Sequence, residues 1–145
     1  MVIFMVIEFR AKKRNKTAWV YGAYIPAEFS SLNRAWIINK EGSCEVDPKT
    51  VGMWSGYSDV SANKIYDGDI VEFYSYGFAN YPLYKDKGLV QHTSDEVSII
   101  TYFDGVPFIY YRLIELVEIK IIGNIHDNPD FLDNSPRKDV EYESR

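Results

Sequence analysis

The chain has 145 residues, enough for one domain or for one domain with a small subdomain, and its 46% apolar and 16% aromatic content excludes a disordered chain. A formal net charge of −5 argues against a general electrostatic grip on nucleic acid, which depends on Lys and Arg neutralising phosphates. The single cysteine, Cys44, excludes an intrachain disulfide and a cysteine metal knuckle, and it fits a reducing cytoplasm.

Twelve tyrosines and eight phenylalanines favour strands over helices. Met1 to Ile7 is apolar, lacks a basic leader and a small-residue cleavage site, and is too short to span a membrane. The expectation is a buried first strand over Val2 to Phe9. Arg10 to Lys16 (RAKKRNK) holds five cations in seven residues. Trp19 to Ile25 reads as a second strand, so the cations fall at the tip of a β-hairpin. They form a solvated loop in one reading. In the other, Arg10, Lys12, Lys13, Arg14 and Lys16 contact an anion or nucleic acid.

Pro26 ends the second strand, and Glu28 to Asn33 has room for one helical turn. Ala35 to Ile38 is a third strand, Asn39 to Ser43 a turn, and Cys44 to Val46 pairs back. Asp47-Pro48 opens a central stretch, because proline fixes its own φ and pushes its predecessor out of the helical region. Val51 to Trp54 reads as a strand and Gly56 to Lys64 as a polar connection. Asp67-Gly68 signals a turn into a strand from Ile70. Asp67, Gly68 and Asp69 read as a structural turn whose carboxylates bond backbone amides. A carboxylate pair for acid–base or metal chemistry is the competing reading. A Gly-Asp-apolar-Val entry of this kind is common in small SH3-like barrels.

Phe73 to Tyr84 (FYSYGFANYPLY) has six aromatics in twelve residues. These complete a core, or Tyr74, Tyr76, Phe78 and Tyr81 form an interaction surface. Lys85 to Gly88 reads as a turn, Leu89 to His92 as a strand, Thr93 to Asp95 as a turn and Val97 to Phe103 as a strand. Asp104-Gly105 turns again. Phe108 to Leu116 permits strand or helical turn, since Leu113, Leu116 and Val117 stand at i, i+3 and i+4. Ile119 to Ile125 is the last strand, and Phe131 and Leu132 fold back after a turn. Asp133 to Arg145 reads as a mobile polar tail.

No catalytic constellation stands out. His92 and His126 have no second ligand at metal spacing, and no nucleophile elbow, P-loop or dinucleotide fingerprint is present. Neither catalytic residue, cofactor nor metal is expected.

Several blocks resemble the YopX family of phage and prophage proteins. They are Ile7 to Lys12, Trp19 to Gly22, Asp47 to Gly52, Ser55-Gly56, Lys64 to Val71 (KIYDGDIV) and Glu118 to Leu132 (EIKIIGNIHDNPDFL). The resemblance implies an all-β fold with an SH3-like partly open barrel, in a bacterial host cytoplasm, and carries no established activity. The expected division is one domain over 1–132, with an N-terminal β-hairpin subdomain to about 50 and the barrel over about 51–132. The expected function is a non-enzymatic binding or self-assembly module, as a homo-oligomer or with a phage or host protein. A nucleic-acid-binding accessory protein working through Arg10 to Lys16 is the alternative, and no membrane association is expected.

Overall fold

The computed structural model describes residues 7–75, 84–93 and 96–132. They are 59% strand, in two antiparallel sheets with only short 3-10 turns, so the mainly β class holds. The chain divides into two compact units between Trp54 and Ser55.

The first unit is a meander of β1 (Phe9–Lys12), β2 (Trp19–Ile25), β3 (Trp36–Asn39) and β4 (Gly42–Glu45), joined by the start of β5 (Gly52–Ser58). The order is β4-β3-β2-β1-β5. An isolated bridge from Lys13 to Val46 and a bond from the Asp47 amide to the Lys12 carbonyl (2.9 Å) draw the end of β4 back to the end of β1. The core is Ala11, Ala35, Ile37 and Val46, with Phe9, Val20, Tyr24 and Val51 packed against it. Strand periodicity explains the set: Ile37 is buried, and its neighbour Ile38 faces out. Asp47 and Pro48 act as the sequence suggests. The Asp47 carboxylate accepts the Lys49 amide at 3.0 Å and caps a 3-10 turn over Pro48–Thr50. The buried Thr50 hydroxyl donates to the Asp47 carbonyl (2.7 Å) and accepts the Lys12 amide (2.8 Å).

The second unit takes the rest of β5, then β6 (Lys64–Tyr66), β7 (Asp69–Ser75), β8 (Tyr84–His92), β9 (Val97–Phe103), β10 (Val106–Arg112) and β11 (Val117–Asn124). Its five-stranded sheet has the order β10-β9-β8-β7-β11. Four strands therefore form a meander, and the last returns beside the first after a 3-10 turn over Leu113–Glu115. Ile65, Val71, Phe73, Val90, Ile99, Leu113, Leu116 and Ile119 make the core. Burying each of the larger side chains is worth about 1.5–3 kcal/mol.

Four local expectations change. Arg10 and Lys12 lie within β1 rather than at the hairpin tip, because Phe9 and Ala11 face the core and the strand continues between them. β5 extends to Ser58, so Gly56 to Ser58 is strand. Lys85 to Gly88 is strand and not turn. A Cβ on Gly88 would stand 2.5 Å from Ile99 Cγ2 and 2.8 Å from the Ile100 carbonyl oxygen, so this glycine serves close strand packing. The ambiguous segment resolves into β10 followed by the single 3-10 turn, whose Leu113 is buried. Asp104 (φ 52°) and Gly105 (φ 76°) both take the left-handed region, as a two-residue hairpin turn requires. The expected buried first strand does not include Ile7 and Glu8, which precede β1, and Ile7 is exposed. Expectations for Val2 to Val6, Ser94-Asp95 and the tail from Asp133 lie outside the described residues.

Candidate anion-binding face

The β1–β2 hairpin organises the cations. Its turn is closed by the Lys13 amide on the Ala18 carbonyl and by the Lys16 amide on the Lys13 carbonyl, both 3.0 Å, with Asn15 at φ 59°. Asparagine tolerates that left-handed geometry better than most residues. The backbone amide of Arg14 bonds the Glu45 carbonyl at 3.1 Å, which brings the turn against the end of β4.

Lys13, Arg14, Asn15, Lys16 and Arg34 thereby surround an open recess of about 450 Å³, which Cys44 and Glu45 also line. Glu45 pairs with the Arg14 guanidinium and with that of Arg34 (3.4 Å). Both arginines keep about half their side-chain surface exposed, at 56% and 53%. Four cations against one carboxylate leave the recess positive. Lys and Arg can neutralise phosphate or carboxylate there, and Arg does so with a planar fork of donors.

Arg10 and Lys12 are used differently. The Arg10 guanidinium carbon stands 4.7 Å from the Trp19 ring centroid, and Lys12 Nζ stands 5.7 Å from it. These are cation–π distances. Arg10 is only 7% exposed, so its guanidinium is tied to the protein more than to solvent. Of the five cations singled out in sequence, the structure brings Lys13, Arg14 and Lys16 to the recess and sets Arg10 and Lys12 on Trp19. Arg34 was missed. Its only signal is its place just before β3, whose partner strand carries Glu45 opposite Trp36.

Of the aromatic set, Tyr74 is half-buried in β7, opposite Lys85 on one side and Val117 on the other. Tyr76, Phe78 and Tyr81 lie outside the described residues. Asp67 and Gly68 form the β6–β7 turn, and Asp69 opens β7. The Asp69 carboxylate, 1% exposed, accepts the Tyr66 amide at 2.7 Å, and Asp67 accepts the His92 amide at 3.2 Å. Gly68, at φ 93°, donates to the Val90 carbonyl (2.9 Å) and accepts from the Ile125 amide (2.8 Å). Both carboxylates thus engage backbone amides. Among the described residues no group of three or more His, Cys, Asp or Glu could hold a metal ion. The Cys44 thiol donates to the Glu45 carbonyl at 3.5 Å. Tyr24 has its phenol pushed above the usual range, first by burial and then by the Glu28 carboxylate.

Phe103, Val106 and Phe108 are about half exposed around the β9–β10 turn, and the two phenyl centroids stand 5.8 Å apart. No helix among the described residues is long and apolar enough to cross a membrane.

Two small β-units, one carrying a cationic recess, define an all-β protein. The chain belongs to the YopX family: the family model described as YopX protein matches residues 8–133. That family is not a known enzyme family. No curated protein matches the chain.

Proposed function

We propose that this protein acts by binding rather than by catalysis, and that the recess of its first unit holds the phosphates of a nucleic acid. The carrying observation is the convergence of Lys13, Arg14, Lys16 and Arg34 on one recess. The charge distribution supports it. Residues 1–54 hold eight Lys or Arg against five Asp or Glu, a net +3, whereas residues 55–145 hold eight against sixteen, a net −8. The whole-chain charge of −5 therefore understates the first unit.

In this reading the second unit is an SH3-like partly open barrel that serves as a platform. Its support is the strand order, a four-strand meander with the final strand returning beside the first after a 3-10 turn. The setting would be the cytoplasm of a bacterium carrying phage genes, in keeping with the family and with the lone cysteine.

Titrating a labelled 20-base-pair duplex with the full chain tests the phosphate reading. Three neutralised phosphates give a salt slope of about 2.7, hence about a 40-fold loss of affinity between 50 and 200 mM salt. Combining Lys13→Ala, Lys16→Ala and Arg34→Ala should remove most of that slope. Binding that ignores salt, or survives the triple variant intact, refutes the reading. Self-association is a second reading, favoured by the exposed Phe103, Val106 and Phe108. Light scattering on the same samples reports it as a mass above 16.8 kDa before nucleic acid is added.

A further inference from the structure

Strand register gathers one set of side chains on the face of the first unit's sheet opposite its core. Residues directly opposite in an antiparallel pair share a face, and the face alternates along each strand. Arg10 stands opposite Tyr21 and Lys12 opposite Trp19. Ala23 stands opposite Ile38 and Ile25 opposite Trp36. Arg10, Lys12, Trp19, Tyr21 and Ile38 therefore share one face, while Phe9, Ala11, Val20 and Ile37 turn to the core. On the first face Tyr21 is 44% exposed and Ile38 is 40% exposed. The end of β1 leads straight into Lys13, Arg14 and Lys16 of the recess.

We propose that this face is a platform for single-stranded nucleic acid, with a base stacked on Tyr21 beside Trp19 and the backbone running toward Lys13 and Lys16. The proposal rests on the phosphate reading above and narrows it. Aromatic rings set in a positive groove bind single strands with little regard to sequence, because every base has a π-face. A duplex keeps its bases in its own stack and offers such a ring nothing. Lys12 and Arg10, held against Trp19, add positive charge to the same face without covering Tyr21's solvent side (44% exposed).

The test is fluorescence anisotropy of the full chain with three probes of equal length: a mixed-sequence single strand, the matching duplex, and an abasic strand that keeps the phosphates and lacks the bases. The single strand is expected to bind about ten-fold more tightly than the abasic strand. Tyr21→Ala should erase that difference and leave abasic binding unchanged, while Tyr21→Phe, which keeps the ring, should behave as the parent. The comparison of probes on the parent protein stands even where a variant folds poorly. Equal, salt-sensitive binding of all three probes overturns the platform and leaves the phosphate reading intact. Absence of binding to every probe overturns both.

Discussion

Asp59 sits just after β5 and is 8% exposed. Its Oδ1 accepts the amides of Ser61 and Asn63, each at 2.9 Å, and its Oδ2 accepts the Ile121 amide at 3.1 Å. The carboxylate thus fixes its own loop and ties that loop to β11, 62 positions further on. Burial raises its pKa, but the amides of Ile121, Asn63 and Ser61 together outweigh burial and hold it below the usual carboxylate range. Hydrogen bonds to a charged group are worth about 1.5–3 kcal/mol each and do not add fully. In Asp59→Ala water can reach the exposed Ser61 and Asn63, whereas the half-buried Ile121 is the amide that loses most. The expected loss is about 2–3 kcal/mol at pH 7. Asp59→Asn, which keeps the shape and loses the charge, should cost about 1 kcal/mol. A group whose folded pKa is depressed contributes stability above its unfolded pKa and loses it as pH falls through the folded value. Urea denaturation at pH 7 and near pH 2.5 should therefore show the gap between the parent and Asp59→Asn shrinking in acid. A loss under about 0.5 kcal/mol for Asp59→Ala, or a gap that stays constant in acid, would refute the reasoning.

Gly88→Ala should destabilise by about 1–3 kcal/mol, because its Cβ would meet the Ile100 carbonyl oxygen at 2.8 Å and backbone cannot yield as a side-chain tip can. Thermal melting reads this directly, and an unchanged midpoint would mean that β8 and β9 are not so close. Phe73→Ala should cost about 3–5 kcal/mol, since its ring is fully buried and packs edge-on against Tyr111 at 5.3 Å. Denaturant unfolding checks it, and a cost below about 1.5 kcal/mol would place Phe73 outside the core.

Local chemistry was legible where a residue's reason is local. Asp47-Pro48, Asp67-Gly68 and Asp104-Gly105 each demand a turn whatever surrounds them, and each makes one. Gly88 misled because its reason is tertiary: the same missing Cβ that frees a turn also lets two strands approach. The alternation Phe9-Arg10-Ala11-Lys12 was visible as a period of two. The density of cations masked it, since charged side chains are usually read as solvated loop, and Trp19 accepts two of them. The partnership of Arg34 with Glu45 had no local signal. The two lie 11 positions apart and meet only because β3 and β4 pair in one register.

The candidate site was half-legible for the same reason. A whole-chain charge is the wrong quantity for a ligand that meets one surface. At physiological salt the Debye length is about 8 Å, so a bound phosphate responds to the charges within that reach and little to the chain's total. Lys13, Arg14, Lys16 and Arg34 line one recess with Glu45 as the carboxylate among them. On the proposed reading, that arrangement would attract phosphate even in a protein of net charge −5. The affinity should then be modest and salt-limited, because few contacts are made. On the proposed platform, grip retained at high salt would come from the aromatic face carrying Trp19 and Tyr21 rather than from the cations, since stacking does not release counterions. Salt dependence and base dependence are therefore separable, and the recess variants should move only the first while Tyr21→Ala moves only the second.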